Sequence, residues 1–104
     1  MSQAVVFGNM FYLAGHVGSV GETPAEQTKT ILANIDALLA EAGTSKSSVL
    51  KAEIWLSDMS HFAAMNEIWD AWIDPANPPA RACGESKLAT PDFDVEIMIT
   101  AAKL

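Results

Sequence analysis

Two stretches decide how this chain folds: Pro79-Ala-Arg-Ala-Cys-Gly-Glu85 and Asp94-Val-Glu-Ile-Met-Ile-Thr100. Both alternate with the period of two that sends successive side chains to opposite faces of a sheet. Both also carry charge where a plain core strand would carry none. Arg81 brings a permanent cation with five donors in a rigid fork, a match in shape for a carboxylate. Glu96 interrupts the apolar run Val95, Ile97, Met98, Ile99. A carboxylate there faces solvent, finds a donor or does chemistry. Arg81, Cys83 and Glu85 fall on one strand face and form a polar stripe.

Working outward, Arg81 to Leu88 and Asp94 to Ala102 are the last two strands, joined by a turn region at Ala89-Thr-Pro-Asp-Phe93. Asp74-Pro-Ala-Asn-Pro-Pro79 is a stiff link that stops a preceding helix. That helix starts from the caps in Ser57-Asp-Met-Ser60, runs to about Ile73, and carries the apolar stripe Phe62, Met65, Ile68, Trp69, Trp72. Val49 to Leu56 is a strand. Thr23-Pro-Ala-Glu26 opens a longer helix with a capping box, its core side is Ile31, Leu32, Ile35, Leu38, Leu39 and Ala42, and Gly43 ends it. At the N-terminus, Ala4 to Phe7 and Met10 to Ala14 flank Gly8-Asn9 as a hairpin.

The resulting order, β-β-α-β-α-β-β, predicts one α+β domain over residues 1–104, with two helices on one face of a mostly antiparallel sheet. Val5, Phe11, Leu13, Ile54, Leu56, Val95, Ile97 and Ile99 exceed what one sheet face is expected to absorb, so the second face is expected to meet other subunits.

The net charge is -7, and no cluster of Lys and Arg exists. A row of cations is what phosphates require, so nucleic acid and acidic membrane surfaces are disfavoured partners. A single cysteine forms no internal disulfide. No apolar stretch approaches the roughly 20 residues of a membrane helix, and the N-terminus has no signal-peptide pattern, so the cytoplasm is the expected location.

The screen for chemistry is mostly negative. His16 and His61 lie in different contexts with no Gly-x-Ser-x-Gly turn, and no zinc spacing occurs. The glycines of Gly15-His-Val-Gly-Ser-Val-Gly21 are turn punctuation rather than a phosphate cradle, with a backbone amide near Gly15 and the His16 ring left as candidates for lining a site. Cys83 is either a small buried hydrophobe or, with Arg81 on the same face, a thiol with a raised thiolate fraction. Arg81 and Glu96 have plain alternatives as a surface ion-pair partner and an edge charge. If residues 81–88 and 94–101 form a hairpin, Arg81 lies opposite Ala101 and about 16 Å along the strand from Glu96. One hairpin then cannot bring both to one small ligand, and a shared site needs a neighbouring chain.

Gly8-Asn9-Met10, Ala14-Gly15, Gln27-Thr28, Asn34-Ile35, Ala42-Gly43, Lys51, Asp58, Phe62-Ala63, Asn66, Pro79-Ala-Arg-Ala-Cys83, Glu85 and Val95-Glu-Ile97 together resemble the Rid family. These are reactive intermediate deaminases, also known as YjgF-like proteins, L-PSP endoribonucleases or translation inhibitors. The resemblance runs in order through nearly the whole chain. It implies a chorismate-mutase-like protomer and a homotrimer with ligand clefts between subunits. It also implies that Arg81 binds a substrate carboxylate, that Glu96 positions the attacking water, and that Gly15, Asn66 and Cys83 touch the ligand. The sequence departs from the family pattern in having His16 after the glycine where glutamine is common, Gly84 where valine is common, and a longer turn at Leu88-Ala-Thr-Pro91. Relatives also carry a cleft-lining tyrosine on a segment ahead of the first strand, before the point where this sequence begins.

The activity so implied is hydrolysis of enamines or imines, of the 2-aminoacrylate or 2-iminopropanoate type, to 2-oxo acids and ammonia. Arg81 and Glu96 are its catalytic candidates, and Gly15, His16, Asn66 and Cys83 its substrate-binding ones. No cofactor or metal is expected, because the imine carbon is already electrophilic. The alternatives are a non-catalytic trimer that binds small carboxylates and, disfavoured by charge, a ribonuclease.

Overall fold

The structure is a computed structural model and describes residues 1–103. Its elements are β1 (Ala4–Phe7), β2 (Met10–Leu13), β3 (His16–Val17), α1 (Pro24–Glu41), β4 (Val49–Leu56), α2 (Phe62–Trp72), β5 (Ala80–Glu85) and β6 (Val95–Ala102). This is the expected α+β order with one two-residue strand added.

Local chemistry sets the element ends. Thr23 Oγ1 accepts from the Glu26 amide at 3.2 Å, and Glu26 Oε1 accepts from the Thr23 amide at 2.9 Å. This reciprocal box satisfies two amides that the helix start leaves open. Gly43, at φ +77°, takes the left-handed step that stops α1. Gly8, at φ +59°, supplies the positive φ at the first central position of the β1–β2 turn, so the Gly-Asn order suits a turn with glycine leading. Asp58 caps a short 3₁₀ turn at Met59–His61 by accepting from the Ser60 amide at 2.8 Å, and α2 continues from that turn.

The strands lie in the order β1-β2-β6-β4-β5, with β3 also on β6. All pairs are antiparallel except β4–β5. This overturns the expected hairpin between the last two strands, because β4 lies between β5 and β6. The reason is the helix between β4 and β5: a strand, a crossover helix and a second strand return the chain to run parallel to where it began.

The helices cover one face only. Phe11 and Leu13 of β2, Ala52, Ile54 and Leu56 of β4, and Val95, Ile97, Ile99 and Ala101 of β6 are buried against Ile31, Leu32, Ile35 and Leu39 of α1 and Met65 and Trp69 of α2. The helices are clasped by Trp72 Nε1 donating to Asp36 Oδ2 at 2.9 Å. Of the apolar set expected to overflow this face, only Val5 does so; the other seven residues are all under the helices. The open face is nevertheless apolar, through Val5, Phe7, Tyr12, Trp55 and Met98, each more than one third exposed. No helix is long and apolar enough to cross a membrane among the described residues.

Candidate active site

Arg81 lies on β5, an edge strand, level with Ala52 of β4. Ala52 is buried under the helices, so parity turns Arg81, Cys83 and Glu85 to the helix side, and Ala80, Ala82 and Gly84 to the open face. The polar stripe expected from the alternation is therefore real. Arg81 Nη1 donates to Asn66 Oδ1 on α2 at 2.7 Å. The guanidinium carbon lies 5.7 Å from the Phe62 ring centre and 5.5 Å from that of Trp69, within cation–π range of both. Arg81 is the sole arginine of a chain with 13 acidic side chains. Yet among the described residues the ion pairs are Lys51–Glu53 and His61–Asp94, and neither involves it. Its one side-chain acceptor is a neutral amide. The guanidinium is held in place while its charge stays unneutralised. Glu85, its neighbour on the stripe, accepts from the Met59 amide at 3.0 Å rather than pairing with a cation.

Glu96 belongs to the other face. It is level with Val17 of β3 on one side and Trp55 of β4 on the other, and Trp55 in turn is level with Gly84. Its half-buried carboxylate has no hydrogen-bond donor among the described residues. The Gly15 backbone closes over it: a Cβ on Gly15 would lie 2.7 Å from Glu96 Oε2. A register slip explains the contact. Tyr12 pairs with Thr100, but His16 pairs with Ile97, so one extra residue is accommodated across Ala14–Gly15. Such a bulge bends the strand and re-aims the side chains beyond it.

The same slip decides His16. Counting alternately from Tyr12, which is on the open face, His16 would share that face with Glu96. The extra residue turns it to the helix side, opposite Ile97, beside Asn34, Ala37 and Leu38 of α1. It is 9% exposed and its Nε2 has no partner. Burial pushes its pKa below the usual histidine value. Adjacent residues Gly15 and His16 thus look onto different spaces.

Within one chain, Arg81 and Glu96 stay apart. They are two strands apart and three residues out of level, about 14 Å between backbones, and they point to opposite faces. The separation expected from a hairpin persists, but the intervening β4 produces it. Cys83 is half-buried on the helix side, and burial pushes its thiol pKa up, with Arg81 only partly offsetting. Of the two readings open for Cys83, this favours the small half-buried residue over the activated thiol, because desolvation outweighs the cation two residues away. On the open face, the small residues Ala82 and Gly84 leave a trough of about 480 Å³ beside Trp55 and the Lys51–Glu53 pair. No cluster of three metal-ligating side chains occurs among the described residues.

A residue that sequence reasoning did not single out for its structure ties this region together. Gln27 on α1 is fully buried. Its Oε1 accepts from the amides of Asp94 and Val95 at 2.8 and 3.2 Å, and its Nε2 donates to the carbonyls of Glu22 and Asp92. It anchors the start of β6 just before Glu96. The signal for it in the sequence was a polar residue in the first turn of an amphipathic helix, on its core side.

The architecture is that of an α+β protein, two helices over a six-stranded mixed sheet, with one uncompensated arginine at a sheet edge. Residues 1–103 match the family model described as Endoribonuclease L-PSP. A RutC family protein from Haemophilus influenzae is 44% identical over 103 residues, covering 97% of this chain and 89% of the relative. The RutC family protein YoaB of Escherichia coli is 42% identical over 101 residues, with the same coverage. Among solved structures, a YjgF family member from Neisseria meningitidis superposes with a TM-score of 0.97 at 50% identity, covering 100% of this chain and 87% of that one. A Rid family protein from Yersinia pestis does so with a TM-score of 0.91 at 28% identity, covering 98% and 86%. This chain belongs to the Rid/YjgF family, whose members also carry the RutC and L-PSP names.

Proposed function

We propose that the protein hydrolyses reactive 2-imino and 2-enamino acids, such as 2-iminopropanoate and 2-aminoacrylate, to 2-oxo acids and ammonia. The site is a cleft between subunits of a homotrimer. The observation that supports this reading is Arg81: sole arginine, fixed by Asn66 and two aromatic rings, and unpaired with any of the chain's own carboxylates among the described residues. Such a group is preorganised for a carboxylate supplied from outside. Glu96 is likewise without a donor among the described residues of its own chain, and in the proposed trimer it meets Arg81 of a neighbouring chain.

In the reaction, Arg81 grips the substrate carboxylate through its free donors. Glu96 takes a proton from a water molecule as the water oxygen bonds to the imine carbon and the C=N π pair moves to nitrogen. The proton then passes to nitrogen to give a carbinolamine; the hydroxyl proton follows to the amine, the C–N bond breaks with its electron pair going to nitrogen, and ammonia leaves as the carbonyl forms. Orientation of water against the imine carbon supplies most of the rate.

The test is ammonia release from freshly generated 2-iminopropanoate by wild type and Arg81→Ala, with light scattering to give the subunit number. Loss of two charge-assisted bonds, about 3 kcal/mol together, lowers kcat/KM by roughly 100-fold. Wild type at the uncatalysed rate, or a monomer, refutes the proposal. Binding of 2-oxobutyrate without turnover would assign the site to a non-catalytic carboxylate binder, and RNA cleavage lost in Arg81→Ala would assign it to a ribonuclease.

A further inference from the structure

The arginine is held by a neutral amide, and that amide is itself held. Asn66 Nδ2 donates to Asp70 Oδ2, one turn along α2, at 3.3 Å. An amide side chain presents either an acceptor or a donor to its neighbour, depending on a half-turn of its terminal group. Facing a guanidinium, only the oxygen is useful; the NH₂ would meet the N–H groups of Arg81 donor to donor. A carboxylate accepts only, so Asp70 selects the NH₂ for itself and leaves the oxygen for Arg81, where the bond is 2.7 Å. Asp70 makes no ion pair with Arg81 among the described residues, so it orders the guanidinium without neutralising it.

We propose that Asp70 is a positioning residue for Arg81: it fixes the Asn66 amide so that the guanidinium is held ready for a carboxylate ligand, and it has no contact with that ligand. Asn66 then belongs to the same relay, its oxygen engaged by Arg81 and one of its N–H groups by Asp70. The inference rests on the carboxylate-binding reading of Arg81.

The sign of the effect separates this role from a simple field effect. Removing a negative charge near an anion site by itself tightens anion binding. Releasing the Asn66 amide loosens it. Asp70→Ala, which leaves Asn66 Nδ2 without that acceptor, is therefore expected to weaken 2-oxobutyrate binding about fivefold and raise KM for the imine by the same factor, with kcat within twofold. Asp70→Glu, which keeps an acceptor at the same helical spacing, is expected to return both to within twofold of wild type.

A readout independent of any ligand comes from Arg81 being the sole arginine. In ¹⁵N-labelled protein its Nε–H gives one side-chain signal, and the order parameter of that signal is expected to fall in Asp70→Ala and to recover in Asp70→Glu. An unchanged order parameter in Asp70→Ala, or tighter 2-oxobutyrate binding, overturns the inference. If wild type neither binds 2-oxobutyrate nor turns over imine, the proposed function fails, while the order parameter still decides whether Asp70 orders Arg81. Asn66→Asp provides a second route: it sets a carboxylate against Nη1, neutralises the guanidinium and should weaken 2-oxobutyrate binding more than Asp70→Ala does. Equal or tighter binding in Asn66→Asp also overturns the relay.

Discussion

Gly15→Ala probes the proposed catalytic carboxylate, Glu96, through a single methyl group. The Gly15 backbone is outside the left-handed region, so alanine adopts it without strain, and the effect is steric alone. The new Cβ would lie 2.7 Å from Glu96 Oε2, 3.0 Å from Cδ and 3.3 Å from Cγ. Ordinary contact begins near 3.4 Å. The carboxylate must therefore retreat by about 0.7 Å, which its terminal torsions can supply at roughly 1 kcal/mol. In a chain this size that is about 5 °C in Tm. The catalytic cost is larger, because misplacing a reacting group by about 1 Å costs up to 100-fold. We expect kcat for 2-iminopropanoate to fall roughly 10- to 100-fold while KM stays within twofold, since the methyl group displaces the carboxylate and leaves the Arg81–Asn66 contact in each chain unchanged. The assay is initial-rate ammonia release, with thermal unfolding in parallel. A kcat within twofold of wild type, alongside the expected Tm shift, would show that the methyl group arrived and the carboxylate's placement did not matter. The proton-transfer role of Glu96 would then be untenable.

Three other perturbations test the core and the titrating groups. Gln27→Leu keeps volume but strands the amides of Asp94 and Val95 at the start of β6, which should lower unfolding free energy in urea by about 3 kcal/mol; a loss under 1 kcal/mol would mean those amides find other acceptors. Burial lowers the His16 pKa in the folded chain below the ordinary value of 6.5 that the unfolded chain keeps, so the unfolded state binds more protons around and below that pH. Stability should hold above pH 6.5 and decline as pH falls below it, and His16→Gln should flatten the slope below pH 6.5; an identical slope in the variant would place the proton uptake elsewhere. Cys83 should react slowly with an aromatic disulfide reagent at pH 8, because burial raises its pKa, and slower still in Arg81→Ala, where the offsetting cation is gone; faster reaction in that variant would show that access, not thiolate fraction, controls the rate.

The elements were legible because each announces itself locally. Thr23 and Glu26 spell a capping box, Gly43 a stop, and Ile31, Leu32, Ile35 and Leu39 a helical face, and all are found in those roles. Arg81 and Glu96 were legible as chemistry, since a fork of donors and a carboxylate inside apolar runs need a reason. The direction in which each side chain faces was not legible, because parity is inherited from the pairing strand. Adjacency of the last two strands was the natural assumption for a short connection, and it failed because β4–α2–β5 is a crossover unit that runs parallel, leaving β6 to pair on β4's other side. That signal, a helix between two strands, was present in the order of elements. The slip at Ala14–Gly15 had no such signal: one extra residue moves His16 from the face of Glu96 to the core, and only the register on β6 shows it. Asn66 and Asp70 stand four apart on α2, a spacing visible in the sequence, but the third member of that relay arrives from β5, fifteen residues from Asn66. Residue types thus name the reactions a chain is capable of, whereas the pairing of distant strands determines which of those residues can act on the same molecule. For Arg81 and Glu96 that pairing places them back to back across one sheet, so a shared substrate requires a second copy of the chain.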